Sequence, residues 1–260
     1  MYIDTHCHLT DDKLKVRTKD VVKSAEEAGV KLIIDVGCDT ESSLSACRNA
    51  EEYKGVFFAA GVHPSDCEEY GEKAENIIKS LLSHPKCVAV GEIGLDRHWK
   101  PFDEEKQRDC FVSQLEIAAA AKLPVSFHIR EAIAPACDII KAFRGRLSGG
   151  VMHCYSGSKE TAKELLDERM YFSFGGTSTY KNAANVREVI AYLPSNRILT
   201  ETDSPYLAPE GKRGTVNEPA NIPIIAENIA KIKGLSAEEF AEIALKNALE
   251  LFFKIKRYIG

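Results

Sequence analysis

Residues 111–154 read FVSQLEIAAA AKLPVSFHIR EAIAPACDII KAFRGRLSGG VMHC, and the alternation inside this stretch decides the fold. Phe111 to Ala121 places apolar residues at helical spacing, Val125 to His128 is a short apolar strand, Ile133 to Phe143 is helical again, and Gly150 to His153 is a second strand. Outward from this stretch the same beat gives strands at Tyr2 to Thr5, Lys31 to Val36, Val56 to Val62, Cys87 to Glu92, Tyr171 to Phe174 and Arg197 to Thr200. Helical spacing recurs at Val21 to Ala28, Leu44 to Glu51, Ile77 to Leu82 and Ala162 to Leu166. About eight strands alternating with helices predict parallel crossover units closed into one α/β domain over 1–260, a (β/α)8 barrel of the TIM type; an open doubly wound sheet is the alternative. Ile222 to Phe253 reads as two helices split near Gly234, with Ser236 as N-cap and Glu239 three residues on, and Gly211 to Pro219 reads as a loop.

Composition bounds the function. With 44% hydrophobic and 28% charged residues the chain is globular in character, and its net charge of -5 argues against a broad basic surface for gripping duplex DNA. The first residues lack the basic head and apolar stretch of a signal peptide, and no apolar run approaches a membrane span, so a cytoplasmic protein with no membrane partner is expected. The 8 cysteines are scattered without a C-x-x-C pair, which predicts free thiols.

The chemistry-bearing residues fall where strands end. His6 and His8 end the first, His63 the third, Glu92 the fourth, His128 the fifth and His153 the sixth, while Asp203 follows the last. In a barrel that is the mouth where active sites are built. Two residues apart in extended chain, His6 and His8 point to one side and can share one metal, with Cys7 facing away. A carboxylate at the end of the apolar run Val88-Ala89-Val90-Gly91 is costly to bury unless paired or on a cation, and the two oxygens of Glu92 can take one ion each. Glu201 shares parity with Asp203 one layer deeper, which suits it to orient a ligand histidine. Nitrogen and oxygen donors without thiolate suit divalent zinc or manganese, and magnesium where oxygens predominate.

In this order, Ile3-Asp4-Thr5-His6-Cys7-His8-Leu9, Gly61-Val62-His63-Pro64, Gly91-Glu92-Ile93-Gly94-Leu95-Asp96, His128-Ile129-Arg130, His153-Cys154-Tyr155-Ser156-Gly157 and Glu201-Thr202-Asp203-Ser204-Pro205 make the chain resemble the TatD family of metal-dependent deoxyribonucleases, among the amidohydrolase-type barrels. The resemblance spans nearly the whole chain. It implies one metal on His6, His8, Glu92 and Asp203 and a second on Glu92, His128 and His153, with nuclease activity, commonly exonucleolytic on single strands. Two departures fall in loops expected to touch substrate: Asp96 is followed by Arg97-His98-Trp99, and Gly214-Thr215-Val216 separates Lys212-Arg213 from Asn217-Glu218-Pro219.

The resemblance implies hydrolysis of phosphodiesters in single-stranded DNA, and no obligate protein partner is expected. Two divalent cations on these residues would supply an activated water and neutralise the phosphoryl oxygens, and Asp203 would help to take the proton of that water. His63 and Arg130 are candidates for phosphate contacts, and Trp99 and Tyr155 for base stacking. The same metals on a carbon centre would instead cleave an ester or amide, as in a D-aminoacyl-tRNA deacylase, and a metal-binding module without catalysis is the third reading.

Overall fold

The computed structural model describes residues 1–259. In chain order its elements are β1 (Tyr2–Cys7), α1 (Asp12–Lys15), α2 (Thr18–Glu27), β2 (Val30–Val36), α3 (Thr40–Glu52), β3 (Val56–Ala60), α4 (Glu72–Leu82), β4 (Cys87–Asp96), α5 (Glu104–Ala121), β5 (Val125–Arg130), α6 (Ile133–Ala142), β6 (Gly150–Met152), α7 (Lys159–Asp167), β7 (Met170–Phe174), α8 (Ala184–Tyr192), β8 (Ile198–Thr200), α9 (Ile222–Lys233) and α10 (Ala237–Leu251). The strands pair in sequence order from β1 to β8 as one parallel sheet, the expected barrel rather than the doubly wound alternative.

Strand residues alternate between two cores. Leu32, Ile34, Phe57, Ala59, Val88, Val151, Tyr171 and Leu199 pack with Ala248, Leu251 and Phe252 from the end of the chain. Their neighbours Ile33, Phe58, Ala60, Val90, Phe127 and Met152 pack instead with helix residues such as Ile78, Phe111, Leu115 and Ile229. A strand buried on both faces explains why these segments read as continuous apolar runs. Helices α9 and α10 divide where expected: Ser236 caps α10 by accepting from the Glu239 N–H at 3.1 Å, and the Glu239 carboxylate accepts from the Ser236 N–H at 2.8 Å.

The seam between β8 and β1 is closed by side chains more than by a ladder. Beyond a single backbone bridge between Cys7 and Ser204, the Thr5 hydroxyl donates to the Thr200 carbonyl and the Thr200 hydroxyl to the Ile3 carbonyl, each at 2.9 Å. Two threonines opposite one another thus supply bonds that strand pairing would otherwise make.

Several boundaries differ from the sequence expectation. Strand β4 continues to Asp96, so Glu92 lies inside it rather than at its end. Pairing with β5 slips there, since Val90 faces Val125 and Ile93 already faces Phe127. That bulge re-aims Glu92. Gly91 makes it feasible: its φ is +155°, and a Cβ would stand 2.7 Å from the Ser126 Cβ. Helix α5 begins at Glu104, well before Phe111, because its first turns are polar and start from the Asp103 cap.

Candidate metal centre

At the carboxyl ends of the strands, Glu92 is 2% exposed and is surrounded by four histidines. Its Oε1 lies 2.7 Å from His128 Nδ1 and 3.1 Å from His153 Nε2. Its Oε2 lies 3.4 Å from His6 Nε2 and 3.7 Å from His8 Nε2. Asp203 Oδ1 completes the second side, 3.4 Å from His8 Nε2 and 3.9 Å from His6 Nε2. Donors arranged tetrahedrally about 2.1 Å from a cation sit about 3.4 Å apart, so His6, His8, Asp203 and Glu92 Oε2 have the spread of a coordination shell, while Glu92 Oε1 stands at hydrogen-bond distance from His128 Nδ1.

Three of the four imidazoles are turned by a hydrogen-bond partner on the far nitrogen, and His153 has only the nearby Glu201 carboxylate there, without a hydrogen bond. The Val36 carbonyl accepts from His8 Nδ1 at 2.9 Å, which fixes the proton there and leaves Nε2 with a lone pair. His6 Nδ1 meets the Ser126 hydroxyl at 3.2 Å. His153 Nδ1 faces Glu201 Oε2 at 3.5 Å. His128 is reversed, with Nε2 2.9 Å from Asp96 Oδ2 and Nδ1 turned toward Glu92. Glu201 is itself fixed, accepting from the Cys154 N–H at 2.6 Å and from the Ser173 hydroxyl.

Burial alone would raise the Glu92 carboxyl, but His153, His6 and His128 around it hold it well below the usual carboxylate range. Burial likewise opposes ionisation of Asp203, and its bond to His8 with the charges of His153 and His8 lowers it. Asp96 follows the same balance and falls to about 2 because of His128. Burial and the neighbouring His153 push His6 down, whereas against the effect of burial Cys38 and Asp203 hold His8 up, Glu92 and Asp96 hold His128 up, and Glu92 and Glu201 hold His153 up. A buried cluster of carboxylates facing four imidazoles is a nitrogen and oxygen donor set of the kind that divalent cations take, and it fits the metal that the sequence implied.

The remaining candidates separate. His63 lies beyond β3, where its Nδ1 accepts from the Ser65 N–H at 3.0 Å and caps a 3₁₀ turn, so its proton sits on Nε2. One of its ring nitrogens, a Glu92 oxygen and a His128 nitrogen lie within 4.8 Å of one another. Burial, then His128, lower His63 to about 3, so it is a neutral donor. Arg130 is exposed at the end of β5, with its guanidinium carbon 5.5 Å from the Trp99 ring centroid. Tyr155 corrects the expectation of stacking. It is 4% exposed, its ring packs edge-on against Phe172 at 4.9 Å, and its hydroxyl donates to the Ser158 carbonyl. An aromatic that completes the core has no face to offer a base.

Two residues near the centre went unread in the sequence. Asp96 looks like an ordinary end-of-strand acid, and only the β4/β5 register brings it to His128. Cys38 sits after β2 with Sγ 3.6 Å from His8 Nδ1 and 3.9 Å from Glu92 Oε2. The 8 cysteines are all unpaired thiols, as expected. No helix is long and apolar enough to cross a membrane among the described residues.

The family model described as TatD related DNase matches residues 3–253. A Bacillus subtilis protein named "Uncharacterized metal-dependent hydrolase YabD" is 38% identical over 252 residues, covering 97% of this chain and 99% of its own. The Salmonella typhimurium protein named "3'-5' ssDNA/RNA exonuclease TatD" is 31% identical over 254 residues, covering 96% and 98%. Among solved structures, the Escherichia coli TatD homologue YjjV superposes with a TM-score of 0.92 at 31% identity, covering 97% of this chain and 98% of that one.

Proposed function

We propose a function from one premise: the chain belongs to the family of TatD related DNases and is a metal-dependent hydrolase. The finer reading is an exonuclease-like hydrolase of phosphodiester bonds in single-stranded DNA, acting through two divalent cations and forming one catalytic unit over 1–260. One relative's name describes a 3'-5' exonuclease on single-stranded DNA and RNA. The observation that carries the reading is the division of histidines between the two oxygens of Glu92.

His6, His8 and Asp203 would hold one cation and His128 and His153 the other, with Glu92 contributing an oxygen to each. Four imidazoles in the set favour zinc or manganese over magnesium. When bound, the pair would supply Lewis-acid polarisation of the phosphoryl oxygens and a water that ionises near neutral pH. The residues of the chain do the rest. Asp203, held in place by its N–H bond to the His6 carbonyl at 2.9 Å, is positioned to take the proton of the attacking water. The Nε2–H of His63 and the fork of Arg130 would donate to nonbridging oxygens, the latter with geometry that matches phosphate. Asp96 and Glu201 keep the His128 and His153 rings turned toward the centre, so their lone pairs need not reorganise during the reaction.

The test is digestion of end-labelled single strands by metal-replete protein, with products resolved by length. Stepwise shortening that stops on chelation is expected. Release of an amino acid from a misacylated tRNA while DNA strands stay intact would replace this reading with the deacylase one.

A further inference from the structure

Trp99, 65% exposed, and Tyr206, 46% exposed, are the two most exposed aromatic side chains among the described residues, and both stand at the barrel mouth. Trp99 follows β4 and Tyr206 follows β8, so three strands lie between them in the sheet order and they stand across the barrel mouth from one another. Each comes three residues after a carboxylate that faces the centre, Asp96 for Trp99 and Asp203 for Tyr206. Each ring also carries a cation. The Arg130 guanidinium carbon is 5.5 Å from the Trp99 centroid, and Lys13 Nζ is 5.0 Å from that of Tyr206. Elsewhere Arg146 and Arg197 cover the buried rings of Phe143 and Tyr171, Arg213 covers the half-buried Tyr180 at 4.5 Å, and Lys86 lies 6.0 Å from Tyr258 near the end of the chain, so Trp99 and Tyr206 are the more exposed members of the set.

The Tyr206 platform is held rigidly. Its hydroxyl donates to Asp11 Oδ2 at 2.6 Å. Asn217, fully buried, donates from Nδ2 to the carbonyls of Thr202 at 2.8 Å and Tyr206 at 2.7 Å, clamping the segment that also carries Asp203. An exposed aromatic anchored by buried hydrogen bonds loses little entropy when something stacks on it. An exposed ring beside a cation, on a chain whose net charge is -5, suits a ligand with a flat face and a negative charge close together.

We propose that Tyr206 with Lys13 and Trp99 with Arg130 are two nucleotide subsites, one on each side of the bond to be cut. A single strand crosses the mouth from one platform to the other and is hydrolysed between them. This rests on the phosphodiester reading above. It adds that unpaired bases are needed on both sides of the scissile phosphate, so a duplex cannot fill both subsites, and that a lone nucleotide fills only one.

The chain has a single tryptophan, which makes Trp99 its own reporter. Tetrathymidylate and an abasic strand of equal charge are titrated into the full-length, zinc-loaded Asp203→Asn protein, following tryptophan emission and the anisotropy of a labelled strand. Tetrathymidylate should quench Trp99 and the abasic strand should not. Added to that background, Tyr206→Ala or Trp99→Ala should each weaken tetrathymidylate about tenfold or more while leaving the abasic strand unaffected, and Tyr206→Phe, which keeps the ring, should bind like the parent. Circular dichroism identifies a variant that has not folded, and for Tyr206 the Phe variant then carries the comparison with Trp99→Ala. If wild type shortens strands but the alanine variants bind tetrathymidylate as tightly as the parent, the subsites are wrong and the nuclease reading stands. If wild type neither binds nor cuts strands, both fall together.

Discussion

Asp96 shows how much of the centre is made by residues that touch no cation. Its Oδ2 engages His128 Nε2 at 2.9 Å, so His128 can present only Nδ1 to Glu92. Asp96→Asn would keep the shape and remove the charge, leaving an amide that can turn its oxygen or its nitrogen toward the ring. Activity should fall about 10- to 100-fold, with the loss partly recovered at higher metal concentration because the weakened step is retention of one cation. Measuring the rate against added zinc or manganese checks this, and a rate unchanged from wild type at limiting metal would contradict it. At this scale the sequence was readable where a residue carries its own signal. The spacing of His6 and His8 turns both imidazoles to one side, and Glu92 stands out by the cost of burying a carboxylate after an apolar run, so their meeting was readable from the chain. Asp96 and Cys38 give no such signal, because their partners come from other strands. Tyr155 misled for the opposite reason: beside His153 it looked available to substrate, while its ring completes a core with Phe172 and Phe174.

Between elements, buried polar groups tie the loops of the mouth to the barrel wall. Asp35 in β2 accepts from the Leu9 N–H after β1 at 2.9 Å and from Asn49 Nδ2 in α3 at 2.8 Å. Burial raises its carboxyl from 3.8 to about 6, against the lowering effect of those bonds. The folded chain therefore holds that proton more tightly than the unfolded one. The stability this contributes is full below about pH 4 and is lost as pH rises through about 6, by as much as about 3 kcal/mol. Asp35→Asn cannot ionise and keeps an acceptor for Leu9 once the Asn49 amide turns over. Melting temperatures of wild type and variant, compared from pH 4 to pH 7, should shift by several degrees in favour of the variant as pH rises; a gap that does not move with pH would show that Asp35 stays charged throughout. Helix ends were less legible than strands. Helix α8 carries only Val189 and Ile190 as fully buried residues, too few to mark a face, and α5 opens with turns that no apolar periodicity reveals.

For the molecule as a whole, the sign of the surface sets how substrate is held. On a chain of net charge -5, the proposed single-strand substrate is expected to draw its affinity from the centre and a few rim cations such as Lys13 and Arg130. Binding of short single strands should collapse on chelation, and log affinity should fall with log salt at a slope of only about 1 to 3. Tight, metal-independent binding with a steep slope would point to a separate basic surface. The barrel itself followed from alternation of strand and helix, since parallel strands buried on both faces leave an apolar signature that survives without any tertiary knowledge. Its closure did not, because the Thr5 and Thr200 hydroxyls that join β1 to β8 lie 195 positions apart. The central claim is that Glu92 divides two cations between its oxygens, and anomalous diffraction from a manganese-soaked crystal tests it most directly. The account predicts two peaks roughly 3.5 to 4 Å apart, one beside His6, His8 and Asp203 and one beside His128 and His153. A single peak, or two peaks with Glu92 in contact with neither, would contradict it.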